Sequence, residues 1–231
     1  MAAGRKNKQK KIAEINTLPN VFQAFGFADT QLQDAAGERL NYKGQWAETV
    51  FKNRHPLVLE LACGKGDYTV ALAAQQPQVN FVGIDIKGPR IHTGARHALE
   101  NGLTNVAFMR FKIENLLNFF APQEVAGIWI TFPDPFPKDR HEKHRLTHHA
   151  FLERYNQILQ PGGIVNFKTD DLDLFRYTAA SVKAYGAPIT YYREDIYSAP
   201  LEVPELEIKT FYERQHLKNG RTINFMQWSR K

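Results

Sequence analysis

From Pro56 onward, short apolar runs alternate with stretches of helical periodicity. "PLVLELA" (56–62), "VNFVGIDI" (79–86), "NVAFMRF" (105–111), "VAGIWITF" (125–132) and "GIVNFKT" (163–169) are rich in β-branched and aromatic residues, the composition of strands buried on both faces. Between them, three stretches read as helices: "DYTVALAAQQ" with Asp67 as N-cap, "GPRIHTGARHALENG" closed by Gly102, and "THHAFLERYNQILQPGG" capped by Thr147 and stopped at Pro161. "DLDLFRYTAASVKAYG" adds a further helix, and "ITYYRE" and "TINFMQWS" two more strands. "TFYERQHLKNG" (210–220) fits a helix or a hairpin strand equally, because Asn219-Gly220 ends either. Strand and helix in alternation predict an α/β fold, a parallel sheet with helices on both faces.

Upstream the pattern weakens. Residues 21–55 are mixed and broken by Gly37 and Gly44, and residues 1–20 read as a disordered arm ahead of one domain spanning 21–231. At 231 residues and 43% hydrophobic content the chain can bury one substantial core. No run approaches the roughly 20 apolar residues of a membrane span, and no apolar segment follows the basic N-terminus, so a cytoplasmic protein is expected. Cys63 is the only cysteine, which excludes an internal disulfide and a cysteine-rich zinc site. Of the net charge of +6, Arg5, Lys6, Lys8, Lys10 and Lys11 supply five before the first acid at Glu14, and the remainder carries only +1. Such an arm is either a solvated tail or a phosphate-neutralising aid to nucleic-acid binding.

The first chemical signal is "ELACGKGDYT" (60–69), where a strand ends, Gly64 and Gly66 allow a tight turn and a close approach to a ligand, and a helix begins. A Walker loop would need glycine at Leu59 and a hydroxyl residue at Gly66, and a dinucleotide fingerprint would need glycine at Thr69. Neither template fits. Glu60 would repel a pyrophosphate but attract a cofactor with a cationic amino-acid end, a description that S-adenosylmethionine meets. Asp85, 19 residues past Gly66, ends the second strand where an acid can accept hydrogen bonds from ribose hydroxyls. Cys63 has no base placed beside it by sequence and reads as a packing residue.

The second signal is "ITFPDPFPKDRH" (130–141). The fourth strand delivers Asp134 to the carboxyl edge of the sheet, and Pro133, Pro135 and Pro137 restrict the backbone around it. An acid held still beside a cofactor crevice is a candidate catalytic group. Just after it, Lys138, Arg140, Lys143 and Arg145 outnumber Asp139 and Glu142, with His141, His144, His148 and His149 interleaved. "HEKH" is one residue short of the zinc-binding HExxH spacing and has no sulfur ligand nearby, so no metal is expected. Arg140, Lys143 and Arg145 are instead expected to contact an RNA backbone.

"FPDPFPKDRHEKHRLTHHAFL" followed by "PGGIVNFKTDD", with "ELACGKGDYT" and "VGIDI" upstream and "TFYERQHLKNG" downstream, resembles the bacterial tRNA (guanine-N7)-methyltransferases over roughly residues 55–230. The resemblance implies a Rossmann-like class I S-adenosylmethionine-dependent methyltransferase fold, with a mostly parallel seven-stranded sheet and an antiparallel last strand. It implies that Glu60 and Asp85 bind the cofactor with the Gly64 and Gly66 loop. Asp134 would lie at the centre of the active site, in contact with the cofactor as well as the base, while Lys138, Asp170 and the Thr210 to Glu213 stretch would meet the substrate guanosine in a tRNA variable loop. The chain departs from the family pattern in three places: Ala62 stands for the usual first glycine of the loop, Phe136 for the commoner tryptophan, and Lys112-Ile113 for an Asp-Ala pair that meets the adenine, which moves that contact to Glu114 and Asn115. Asp170 and Asp171 also suit N-capping of the helix that follows. A small-molecule methyltransferase would leave the cationic segments without a purpose, and a non-catalytic RNA-binding protein would leave Glu60, Asp85 and Asp134 without one. Monomer and homodimer fit equally.

Overall fold

The computed structural model describes residues 2–26 and 29–231, the first five of them by backbone alone. They form two compact units, residues 1–121 and 122–231.

In the first unit, helix α1 (Ala2–Ile15) is followed by three short strands, β1 (Val21–Gln23), β2 (Leu32–Gln33) and β3 (Arg39–Leu40), and a π-helical turn over Trp46–Val50. The alternating pattern then begins with β4 (Leu57–Leu61), α2 (Asp67–Gln75), β5 (Asn80–Ile84), α3 (Gly88–Glu100) and β6 (Val106–Arg110). A 3-10 turn at Ile113–Asn115 and the short α4 (Leu116–Phe119) close the unit. Its strands lie in the order β3-β2-β1-β6-β5-β4. Strands β4, β5, β6 and β1 run parallel, while β2 and β3 are antiparallel additions. All five residues of β5 are buried, as expected of a strand covered on both faces. Because β4, β5 and β6 point the same way, the loops after them (62–66, 85–87 and 111–115) leave from one edge, where open parallel sheets bind ligands.

The expected disordered arm differs from the structure. Residues 2–15 are helical, and the last turn of α1 docks on α3: Ile15 is buried, Glu14 bonds His92, and Lys11 Nζ lies 3.4 Å from Thr93 Oγ1. The His92 bond holds the Glu14 carboxyl below its ordinary value. A run of Ala, Lys, Arg and Gln has good helix propensity, and docking decides the outcome. The arm's Met1, and the side chains of Arg5 and Lys6, lie outside the described residues. Downstream, the Trp46 indole is fully buried and donates to the Phe119 carbonyl at 2.9 Å, which fixes the mixed segment 40–51 beneath α4.

The second unit contains β7 (Val125–Thr131), a 3-10 turn at Asp139–His144, α5 (His149–Ile158), β8 (Leu159–Thr169), α6 (Leu172–Tyr185) and β9 (Ile189–Arg193). Two further 3-10 turns, at Ile196–Ser198 and Pro204–Glu207, precede α7 (Phe211–Lys218) and β10 (Asn224–Ser229). The strand order is β7-β8-β10-β9, with β7 and β8 parallel and β10 antiparallel to both neighbours. Strands β4 to β10 are thus the seven expected ones, the last antiparallel, and the ambiguous stretch 210–220 is a helix.

Two boundaries differ from expectation. Helix α5 begins at His149 with His148 as its cap, its Nδ1 accepting from the Ala150 amide, while the expected cap, Thr147, is taken up by a 2.9 Å hydroxyl contact with Thr178. Strand β8 begins at Leu159, not 163. Leu159 already pairs with Val125, and a register irregularity carries Pro161 and Gly162 (φ +78) past the ladder before Ile164 pairs with Gly127. No described helix is long and apolar enough to cross a membrane.

Candidate active site

In the first unit, the turn after β4 is built from left-handed backbone. Ala62 (φ +57), Gly64 (φ +58) and Gly66 (φ +73) reverse the chain within five residues. Glycine adopts this conformation freely, but at Ala62 it costs on the order of 1 kcal/mol. A Cβ on Gly66 would stand 2.5 Å from the Phe108 ring, so that glycine is required by packing; a Cβ on Gly64 would meet nothing within 4 Å. Gly66, and not the expected Asp67, caps α2. The reason lies across space: Glu60, 2% exposed, turns its Oε2 to the Thr69 amide at 2.8 Å and also accepts the Thr69 hydroxyl, so a carboxylate from β4 serves the first turn of α2.

Asp85, 6% exposed, is oriented by two backbone donors. Its Oδ2 accepts from Gly64 N at 3.0 Å and its Oδ1 from Lys87 N at 2.7 Å. Each carboxylate oxygen has a second lone pair for a ligand hydroxyl. Between the two acids sits Cys63, whose thiol is pushed well above its ordinary pKa, first by burial and then by the charges of Glu60 and Asp85. Glu114 (exposed) and Asn115 (buried) lie on the 3-10 turn that follows β6 at the same edge. Two acids, an uncluttered glycine and a reversed backbone fit a ligand that carries a positive charge and a ribose. S-adenosylmethionine is such a ligand; Asp85 would hold the ribose, with Glu60 and Gly64 lining the amino-acid end.

In the second unit, the proline-rich loop is bracketed by strain. Phe132 (φ +51) and Phe136 (φ +44) both have left-handed backbones, an arrangement that costs about 1–3 kcal/mol each and persists only where the surroundings enforce it. Those surroundings are identifiable. The Phe132 amide donates to the Lys168 carbonyl at 2.8 Å, and the Phe136 carbonyl accepts from Arg145 Nε and Nη2 at 3.2 and 3.1 Å. The Arg145 guanidinium also lies over the Tyr177 ring, 4.3 Å from its centroid. Asp134 is thus carried on a braced loop with its side chain exposed, and among the described residues no hydrogen bond or ion pair engages it.

Not every expected contact residue faces outward. Lys138, Arg140 and Lys143 are exposed, whereas Arg145 is half-buried and braces the loop through its contacts with Phe136 and Tyr177. Asp171 is the N-cap of α6, its Oδ1 accepting from Leu174 N at 2.7 Å. Asp170 takes a separate part, held by Arg221 Nη1 at 2.5 Å and His216 Nδ1 at 3.2 Å. Thr210 caps α7 through the Glu213 amide at 3.2 Å. Glu213, expected to touch guanosine, is 0% exposed; its carboxylate is held by Lys168 Nζ at 2.7 Å and by the Tyr197 hydroxyl at 2.6 Å. That hydroxyl's pKa is raised strongly, first by burial and then by Glu213.

Residues 54–226 match a family described as "Putative methyltransferase". A tRNA (guanine-N(7)-)-methyltransferase of Christiangramia forsetii is 46% identical over 229 residues, covering 99% of this chain and 100% of that protein. One of Bacteroides thetaiotaomicron is 42% identical over 224 residues, covering 96% and 85%. The chain belongs to the tRNA (guanine-N7)-methyltransferase family.

Solved structures extend the likeness at the level of fold. An antibiotic-related methyltransferase superposes with a TM-score of 0.62 at 16% identity, covering 83% of this chain and 96% of that one. The 16S rRNA methyltransferase KamB gives 0.61 at 13% identity, with 84% and 96% covered. Within the family framework, sequence reasoning missed Lys168, Tyr197, His216 and Arg221, the residues that hold Glu213 and Asp170. Lys168 carried a signal, a lysine inside the apolar strand "GIVNFKT", since a buried cation requires a paired anion.

Proposed function

We propose that the chain transfers the methyl group of S-adenosylmethionine to N7 of a guanosine in a tRNA variable loop, as a cytoplasmic enzyme. The observation that carries this reading is a 46% identical relative matched along its whole length, whose name states methylation of tRNA at guanine N7. When bound, S-adenosylmethionine supplies an electrophilic methyl group. Glu60 and Asp85 select for its cationic and ribose ends, and Glu114 and Asn115 border its adenine.

Guanine N7 bears a lone pair and no proton, so its methylation needs alignment and charge stabilisation without a strong base. Positive charge appears on the purine as it is alkylated. A carboxylate hydrogen-bonded to the N–H edge of the base binds that state more strongly than the neutral base, and this is the role of Asp134. Asp170, bonded at rest to Arg221 and His216, contributes to recognition of the same base, and Thr210 and Glu213 act by fixing the first turn of α7. Arg140 and Lys143 give phosphates a cationic rail, and Lys138 meets the guanosine. A-form RNA hides N7 in a groove too narrow for side chains, which suits a loop guanosine as target.

The test is to incubate the protein with methyl-labelled S-adenosylmethionine and unmodified tRNA, then digest and separate the nucleosides. Label in 7-methylguanosine is the expected result; label in another nucleoside, or none, contradicts the reading.

A further inference from the structure

Phe132 is the last residue before Pro133-Asp134, and its environment is more constrained than a strand end requires. Its backbone is left-handed (φ +51), and its half-buried ring has two neighbours from different elements. The Lys168 ammonium is 6.0 Å from the ring centroid, and the His216 imidazole is stacked on the ring at 5.9 Å, with the planes 20° apart. Each partner is itself immobilised. Lys168 is wholly buried and bonded to Glu213 and to the Ile208 carbonyl, and His216 is tied to Asp170. A cation and a stacked ring both favour an aromatic face, and neither interaction survives an aliphatic replacement.

We propose that Phe132 is a positioning residue of the methyl-transfer site: its ring, held by contacts with Lys168 and His216, fixes the left-handed turn that aims Asp134. The inference rests on the reading of Asp134 given above. The clamp joins β8, α7 and the proline loop, so Phe132 links the residues around Asp170 and Glu213 to the segment that carries Asp134. Misdirection of a catalytic group by about 1 Å lowers turnover by one to two orders of magnitude while leaving ground-state binding intact.

Three pairs of variants test it, with kcat and the two KM values measured from 7-methylguanosine formation. Phe132→Leu is expected to lower kcat about tenfold or more with both KM values within about twofold, and Phe132→Tyr to recover most of the loss. His216→Ala and His216→Phe approach from the other side without touching the loop: both lose the Asp170 contact, but only the second keeps the stack. His216→Phe should therefore turn over several-fold faster than His216→Ala. Full kcat in Phe132→Leu, or equal kcat in the two His216 variants, overturns the clamp. Asp134→Ala and Asp134→Asn locate the failure: if both are inactive while Phe132→Leu is fully active, the clamp alone is wrong, and if both are fully active, the role of Asp134 falls and the clamp with it.

Discussion

Lys168 and Glu213 are bonded at 2.7 Å with neither side chain exposed to solvent. The pair joins β8 to α7, and the Tyr197 hydroxyl at 2.6 Å completes it. Burial lowers the Lys168 pKa, against the opposing pull of Glu213. Removing one partner strands the other: Lys168→Met and Glu213→Leu should each destabilise the protein by about 3–5 kcal/mol in urea unfolding, whereas the double variant should recover most of that loss. Additive losses would contradict the pairing.

The turn after β4 predicts opposite outcomes at two neighbouring positions. Gly66→Ala drives a Cβ into Phe108 at a left-handed backbone and should cost about 2–3 kcal/mol. Ala62→Gly relieves a left-handed alanine and should raise stability by up to about 1 kcal/mol, with catalysis retained. Thermal or urea melts decide both; destabilisation by Ala62→Gly would show that the Ala62 methyl packs in a way that outweighs its backbone.

Cys63 is buried in the turn after β4, and we propose no chemical role for it. With its thiol pushed up by burial and by two neighbouring carboxylates, native protein near neutral pH should react with a thiol reagent at least about a hundredfold more slowly than unfolded protein. Cys63→Ala should keep kcat within about threefold. Rapid native labelling, or an inactive alanine variant, would reverse this assignment.

A pH-dependent contact joins α6 to the 3-10 turn beyond the proline loop. The Tyr177 hydroxyl donates to Glu142 Oε1 at 3.0 Å, and burial followed by that bond raises its pKa from 10.0 to about 12. A raised pKa contributes stability that is complete below pH 10 and is lost as pH rises through about 12. Tyr177→Phe should cost about 1 kcal/mol at neutral pH and flatten the decline in stability across that alkaline window. An unchanged decline would assign it elsewhere; the Tyr185 hydroxyl, bonded to Glu153 at 2.7 Å, titrates in the same range.

The sequence made the strands legible because parallel strands are covered on both faces and read as unbroken apolar runs. The acids at their ends were legible too, since Glu60, Asp85 and Asp134 interrupt or terminate those runs. What escaped was settled across long separations. Glu60 caps α2 by reaching Thr69 across the turn, and Glu14 anchors α1 through His92, 78 residues away. Glu213 looks like a surface residue of a short polar helix, and only the buried Lys168 draws it inward. The left-handed backbones of Phe132 and Phe136 have no local signal beyond the prolines beside them, because aromatic residues reach that conformation only under external constraint.

In the proposed mechanism the carboxylate of Asp134 stabilises the cationic purine. Asp134→Asn keeps the shape and removes the charge, so single-turnover formation of 7-methylguanosine at saturating S-adenosylmethionine and tRNA is the direct measurement. The expected rate is lower by about a hundredfold or more, the scale of losing one preorganised electrostatic contact. A rate equal to that of the unaltered protein would contradict it.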